Sequence, residues 1–523
     1  MGAVIEKIRI ENFKRFRNYT VVPNANVNIL IGDNEAGKSS ILEAIDIVAS
    51  GNLRRVELIG IDRLLNVDAV KDFLAGDRDI RNLPVIRIEL YLAGSFDHTM
   101  NGKNNLDKRT CDGIRLICEP NLDYTSEITD ALNTNADYFP YDYYTIRFST
   151  FADEPYTGYK KKLRSIMIDS TRMSSEYATN DYVRRMYYQY TDDNKKERAV
   201  HKSLYRQMRT SFKTESLSGL NDRMPIDRGY LFGLRSGSSM DLEGDLMIYE
   251  NEVGIDSKGT GKQVFIKTDF ALEKSGENVD VILIEEPENH LSPVNLRRLI
   301  QRVASAKQGQ IFVTTHSSVI STRLEINNLL IMHEEGVSPV TLQNLKEETA
   351  KYFSKTPPAS IVEFALAKKA ILVEGPAEFM LMEKFYITVT NGSTPESDDV
   401  HIIDVRGLSF KRYLEVAQHT GSKVAVITDN DKDHQKNCID KYVDYTKDSN
   451  IEIFFDSDDT KRTFEVVLYS VNSKLCDSLF GDDAASWMVT NNNKTEAAYT
   501  LLAQDKEIEV PDYIKRAIEW IRK

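Results

Sequence analysis

The sequence predicts an α/β protein with parallel sheets flanked by helices. Three observations predict it. Val27–Ile31 is an apolar run that enters a glycine loop and then an amphipathic helix. Far downstream, "VDVILIEEPENHLSP" and "QIFVTTHSS" place two more apolar runs before polar turns. Nearer the end, short apolar runs alternate with helical stretches between Ala370 and Thr428, and strands alternating with helices imply a parallel sheet. At 523 residues the chain is too long for one ordinary core, so two or three domains are expected.

Composition narrows the classes. Hydrophobic residues at 41% and charged residues at 28% suit a soluble protein. No run of 18 apolar residues occurs, so no transmembrane helix and no membrane role is expected. The opening "MGAVIEKI" has no basic stretch before a long apolar one, so no signal peptide is expected. Glu6 stands where a myristoylated Gly2 would want Ser or Thr. Cys111, Cys118, Cys438 and Cys476 form no CxxC pair, which points to reduced thiols and a cytoplasmic setting. The net charge of −13 argues against nucleic acid, yet it is uneven: Lys160–Lys213 holds 14 Lys/Arg against 6 Asp/Glu. That stretch reads either as a solvated helical face or as a phosphate-contacting arm.

The first glycine loop reads Gly32-xxxx-Gly37-Lys38-Ser39. Glycines let backbone N–H groups wrap phosphates, Lys38 would reach the outer phosphates, and Ser39 would ligate Mg²⁺. Asn34 and Ser40 belong to the same nucleotide-binding loop. The helix after it carries Ile41, Ile45 and Val48 on one side. Such a site needs an acidic strand. Glu285 would hold Mg²⁺ through water, Glu286 would activate the attacking water, and His316 at the next strand end could contact the γ-phosphate. Between these parts, Ile86–Ala93 and Tyr143–Thr150 read as edge strands and Asn101–Lys108 as a loop. From Lys160 to about Gly219 the pattern is helical, with Tyr177, Tyr182, Tyr187, Tyr188, Tyr190 and Tyr205 among basic residues. Those rings could stack bases, although a helical hairpin packed on a second subunit is the preferred reading.

In the last third, Pro357 and Pro358 interrupt any helix. Ala370–Val373 ends at Glu374-Gly375, Pro376 suits a helix start, and Glu378 lies on the first turn. Val424–Thr428 ends at Asp429, and Asp431 and Asp433 follow at alternate positions, on one side of an extended chain. "HIIDVRG" and the helical "FKRYLEVAQHT" lie between. Ligands of parallel sheets bind beyond the strands' carboxyl ends, where Glu374, Asp429 and Asp431 would meet. Oxygen-only ligands suit Mg²⁺ or Mn²⁺ rather than Zn²⁺. Ions of this kind work on phosphate esters, so a phosphodiester substrate is expected. The plainer reading of the acids is a solvated loop.

Two family resemblances follow from these residues. The Lys38–Glu285 separation of 247 positions, with "IEKIRIENFKRFRNYTV" at the start, resembles ABC-type ATPase heads of the SMC and RecF kind. Such heads carry a signature loop that completes a partner's ATP site; "SKGTGKQ" is its candidate, with Ser257, Gly259 and Gly261 as phosphate-facing residues. It departs from the usual LSGGQ wording, and "LSP" after His290 lacks the usual Gln, with Asn295 nearby. "ILVEGPAEF" and "ITDNDKD" look like the glutamate and DxD motifs of a Toprim domain. A Toprim domain behind an SMC-like head resembles the OLD (overcoming lysogenization defect) family of ATP-dependent nucleases.

The resemblance implies a division into 1–159 (ATPase, first part), 160–235 (helical insertion, dimerisation), 236–350 (ATPase, second part) and 365–523 (Toprim). It implies ATP with one Mg²⁺, and one or two further Mg²⁺ or Mn²⁺ ions held by Glu374, Glu378, Asp429 and Asp431, with Asp433 as an extra ligand. Glu465 falls in the family's "TLE"-like stretch, with Phe464 where Leu is common, and Lys494 falls near the scissile phosphate. It also implies DNA cleavage, a homodimer or higher homo-oligomer through the ATPase half, and a phage-defence role with an operon-encoded helicase-like or retron partner. The competing expectation is an ATP-driven sensor or assembly protein whose Toprim half grips DNA without cutting it. Topoisomerase or primase use is remote, since no strand-passage tyrosine domain or zinc ribbon is visible.

Overall fold

In the computed structural model the described residues are 3–523 except 95–97, 135–137, 158–161, 170–181, 185, 189, 192–193, 224–231, 233, 235–241, 274–278, 290, 306–308, 356–358, 408, 491–492 and 505. Lys160, Lys161, Tyr177, Arg185, His290, Pro357 and Pro358 therefore lie outside the described residues. The chain divides into two compact units: Met1–Leu30 with Asn34–His316 and Glu334–Pro339, and Ile31–Asp33 with Ser317–His333 and Val340–Lys523.

Among the described residues the first unit contains two larger sheets and a two-stranded one, Tyr249–Glu250 with Val253–Gly254. In the larger antiparallel one, Phe16–Val21, Val4–Phe13, Ile86–Ala93, Cys111–Pro120 and Tyr144–Thr150 pair in that order. Ile86–Ala93 is thus an interior strand, not the expected edge. Its Arg87 and Glu89 mimic the alternation of a half-exposed strand, but both charges are satisfied inside the sheet. Arg87 meets Glu11 at 2.7 Å, while buried Glu89 accepts from the Leu106 N–H at 2.9 Å and the Tyr91 hydroxyl at 2.8 Å. Cys111–Pro120 has no counterpart among the expected strands, and Tyr144–Thr150 is the edge strand beside it.

The second sheet of this unit is parallel: Val27–Gly32, Gln310–Thr314, Val281–Glu285 and Ser165–Asp169. Ser165–Asp169 lies in the stretch expected to be helical throughout. Its five residues "SIMID" are too few and too apolar for a solvated helix, and they complete the edge beside Val281–Glu285. Helical structure does follow, chiefly Lys195–Ser211, which buries no side chain. Buried Gln310 ties the first strand to this sheet, accepting from the Ile5 N–H at 2.9 Å and donating to the Ile5 carbonyl at 3.0 Å.

The second unit is built on a four-stranded parallel sheet, in the order Val400–Asp404, Lys369–Val373, Lys423–Ile427 and Ile451–Phe454. Helices Pro376–Thr390, Phe464–Phe480, Lys494–Leu502 and Asp512–Arg522 pack a core that includes Val373, Leu381, Phe385, Phe464, Ala498 and Ile514. The expected strand–helix alternation is therefore present. No helix among the described residues is long and apolar enough to cross a membrane.

Candidate functional site

The P-loop forms as a strand, a turn and a helix. Gly37 caps helix Lys38–Ser50 in the left-handed region at φ 93°. A Cβ on Gly37 would come within 2.4 Å of the Phe16 ring, so both conformation and space require glycine. Lys38 is buried at the helix start, next to Ser39 and Ser40, with Gly32 and Asn34 earlier in the turn. Glu285 is the buried last residue of its strand. Glu286 leaves the strand at φ 40°; its Oε2 accepts from Asn289 at 2.7 Å, and its Oε1 lies 3.6 Å from His316 Nε2. His316 is itself anchored, its N–H donating to Glu288 Oε1 at 2.6 Å. Glu286 and His316 are thus neighbours, as a base and a phosphate sensor would need to be.

The loop proposed as a signature starts helix Thr260–Glu273, so Gly259 precedes that helix and Gly261 sits in its first turn. The Ser257 hydroxyl donates to Asp256 at 3.2 Å. Gln263 pins the loop by donating to the Lys258 carbonyl at 2.8 Å.

The acidic residues of the second unit gather beyond the strand ends. Glu374 follows Lys369–Val373, Glu378 lies on the first turn of Pro376–Thr390, and Asp429 stands two residues past Lys423–Ile427. Glu465 is buried on the first turn of Phe464–Phe480, and Lys494 opens its own helix, Nζ 2.9 Å from Glu465 Oε1. The Asp429 carboxylate is aimed by the Phe464 N–H, which donates to its Oδ1 at 2.7 Å.

Burial, then the fields of Glu374, Glu378 and Glu465, pushes Asp429 up to about 8. Burial, with Glu465 and Glu374 adding, pushes Glu378 up to about 8. Glu374 is raised by burial and then by Asp431. Burial works against the Lys494 charge, but its bond to Glu465 and the fields of Asp429 and Glu378 hold the proton more tightly. Lys494, with Lys441 acting on Glu374, thus faces a set of mutually repelling carboxylates.

The alternating-acid expectation fails beyond Asp429. The chain turns through the left-handed region at Asp431 (φ 49°) and Lys432 (φ 71°), so the three carboxylates do not line one face of a strand. Asp431 is exposed but still acts on Glu374. Asp433 is exposed, and its Oδ1 accepts from the Lys436 N–H at 3.0 Å, capping the next turn. The turn is built by Asn430, which sequence reasoning missed. This buried side chain accepts from the Lys432 N–H at 3.0 Å and donates to the carbonyls of Asp456 (2.9 Å) and Asp458 (3.0 Å). An Asn ahead of Asp-Lys is a turn signal that could have exposed it.

The donor set fits a hard divalent ion. It is all oxygen, and buried Oε2 atoms of Glu374 and Glu465 have no hydrogen-bond partner. Among the described residues, no three acidic, histidine or cysteine side chains lie within common reach of one ion as they stand.

Residues 366–431 match the Toprim domain of overcoming lysogenization defect protein-like proteins, and residues 4–221 match an AAA ATPase domain. The chain joins an AAA ATPase to an OLD-like Toprim domain. Residues 251–322 match an AAA domain of the AbiEii-toxin type, type IV toxin–antitoxin. The OLD nuclease of Thermus scotoductus is 23% identical over 177 residues, covering 32% of this chain and 33% of its own. The DNA replication and repair protein RecF of Acetivibrio thermocellus is 37% identical over 62 residues, 11% of this chain and 17% of its own. The chain therefore spans a third or less of these curated relatives. Among solved structures, the C-terminal region of the Burkholderia pseudomallei OLD protein is 16% identical at TM-score 0.23, covering 30% of this chain and 97% of that one. RecF bound to ATP is 11% identical at TM-score 0.35, covering 65% and 99%. The fold is α/β with parallel sheets, and an AAA ATPase match is followed by a Toprim match, as expected from the sequence.

Proposed function

We propose that this chain is a nucleotide-regulated, divalent-metal-dependent DNA endonuclease of the OLD kind and a phage-defence effector. The observation that carries the reading is the gathering of Glu374, Glu378, Asp429 and Glu465 around Lys494, with partnerless carboxylate oxygens among them. Four acids beside Lys494, Glu378 and Glu465 buried and Glu374 and Asp429 partly so, cost stability unless cations share the site. These acids, with Asp431, would hold one or two Mg²⁺ or Mn²⁺ ions. Such ions supply water activation and leaving-oxygen stabilisation. Lys494, protonated and held by Glu465, would place a hydrogen-bond donor beside the phosphate under attack. Asp429, fixed by the Phe464 N–H, would keep its oxygens at one position through the reaction.

The ATPase half supplies control in this reading. Lys38 and Ser39 would hold the nucleotide phosphates and their Mg²⁺, with Glu286 orienting water. Helix Lys195–Ser211 leaves Val200, Leu204 and Met208 exposed at successive turns (49%, 57% and 61%), a stripe that suits a second copy of the chain. Supercoiled plasmid incubated with the protein, with Mg²⁺ or Mn²⁺ and with or without ATP, tests the proposal. The parental protein should nick it, and Asp429→Ala should lower nicking by several orders of magnitude while phosphate release from ATP continues. Nicking by Asp429→Ala near the parental rate would hand the lead to DNA gripping without cleavage.

A further inference from the structure

We propose that the cavity lined by Asp431, Lys432, Arg462, Thr463, Val489 and Lys494 seats a backbone phosphate of the nucleic acid beside the carboxylate site, with Arg462 and Lys432 holding it. The inference rests on the nuclease reading above. The cavity has a volume of about 330 Å³. Three of its lining side chains are cations and one is a carboxylate, so it favours an anion even with Asp431 ionised.

Backbone groups add to that preference. Two helices begin at the cavity: Phe464–Phe480 behind its N-cap Thr463, and Lys494–Leu502 behind Asn493. Neither N-cap side chain accepts a hydrogen bond from its helix. Helix starts concentrate N–H groups and partial positive charge, which favour phosphate, although the first N–H of Phe464–Phe480 is already donated to Asp429. The hydroxyl of Thr463, a lining residue, is buried without a hydrogen-bond partner.

Lys432 and Arg462 are exposed, and the backbone of the loops that bear them is tied down. Asn430 fixes the turn bearing Lys432, and the Asp431 N–H donates to the Arg462 carbonyl at 3.2 Å. That bond joins the two cation-bearing loops. The cavity also adjoins the acids, because its Asp431 acts on Glu374 and its Lys494 is bonded to Glu465. A phosphate held here lies next to the one that the carboxylates' metal would engage. Arginine suits the task, since its planar fork can take two phosphate oxygens at once.

The shared chemistry is a phosphate group, internal or terminal, and the test separates them. A short duplex with hydroxyl ends and the same duplex with 5′-phosphates are bound in EDTA across a salt series, then cut in Mn²⁺. Arg462→Ala should raise KM about ten-fold on both duplexes, lower kcat much less, and reduce the slope of log affinity against log salt by about one. Arg462→Lys should recover part of the loss, and Lys432→Ala should shift KM in the same direction. Melting temperatures of the variants report that the fold is retained. A loss confined to the 5′-phosphorylated duplex overturns the backbone assignment in favour of a terminal phosphate. Unchanged KM and slope in Arg462→Ala and Lys432→Ala, with a parental protein that binds and cuts, overturn the inference and leave the nuclease reading standing. A parental protein that neither binds nor cuts sinks that reading, and this inference with it.

Discussion

Replacing Glu378 with Gln should stabilise the metal-free protein at neutral and alkaline pH and abolish most of its stabilisation by metal. Glu378 is buried, and its carboxyl is pushed from 4.5 to about 8. Between those values the unfolded chain has released this proton and the folded chain retains it. Stability is therefore undiminished below pH 4.5 and falls as pH rises towards 8, by about 1.4 kcal/mol per pH step. By pH 7 the cost reaches roughly 3 kcal/mol, and Asp429, also near 8, adds in the same sense. Gln does not titrate, though its amide must still find partners, so a net gain of about 2 kcal/mol is expected at pH 7. For a domain of this size that is roughly 5 °C in Tm. The assay is thermal unfolding at pH 4.5, 7 and 8.5, in EDTA and in Mg²⁺ or Mn²⁺. In EDTA the variant should match the parent at pH 4.5 and melt higher at pH 7 and 8.5. Metal at about 100 times its Kd should return roughly 2.7 kcal/mol to the parent and much less to the variant, the more so as pH rises and protons cease to compete. A variant that melts lower than the parent at pH 8.5 in EDTA would refute the burial cost. Equal metal stabilisation of both would remove Glu378 from the ligands.

Lys38→Ala should lose ATP binding, read by fluorescent-nucleotide titration, while divalent ions still raise the melting temperature. Loss of both would tie the two sites to one folding event. Glu286→Gln should bind ATP as the parent does and hydrolyse it at least ten-fold more slowly, because only the proton acceptor is removed; parental turnover would move the base elsewhere. Neutralising Lys195, Lys196 and Arg198 on the exposed helix should lower the salt dependence of DNA affinity by about one for each phosphate that the helix no longer neutralises. An unchanged slope makes that helix a solvated face or a subunit interface.

Legibility in the sequence follows the strength of local constraint. The P-loop strand and helix are plain because Gly37 answers a local demand, a left-handed cap pressed on Phe16. The four-stranded parallel sheet is plain because strands buried on both faces must read as continuous apolar runs, as Ile371–Val373 and Val424–Ile427 do. What stays hidden depends on distant partners. Ile86–Ala93 looks like an edge because Arg87 and Glu89 are polar, and only Glu11, Tyr91 and Leu106 show why an interior strand tolerates them. Ser165–Asp169 merges into a basic helical stretch, for nothing local says that five residues join a strand more than 100 positions away.

The acidic cluster shows the same division within one site. Glu374, Glu378 and Asp429 are legible because each is set by its own strand end or helix start. Extending the pattern to Asp431 and Asp433 assumes that the chain stays extended, and Asn430 ends that. By satisfying carbonyls of Asp456 and Asp458, its side chain makes the turn cheaper than further strand, and the turn needs left-handed backbone at Asp431 and Lys432. The outcome is more than a correction of spacing. In an extended chain Lys432 would point away from Asp431, on the opposite side of the strand. In the turn both line one cavity with Arg462 and Lys494. The residue that breaks the acidic row thereby puts cations where a phosphate chain would approach the carboxylates. Repelling acids alone would keep that chain away.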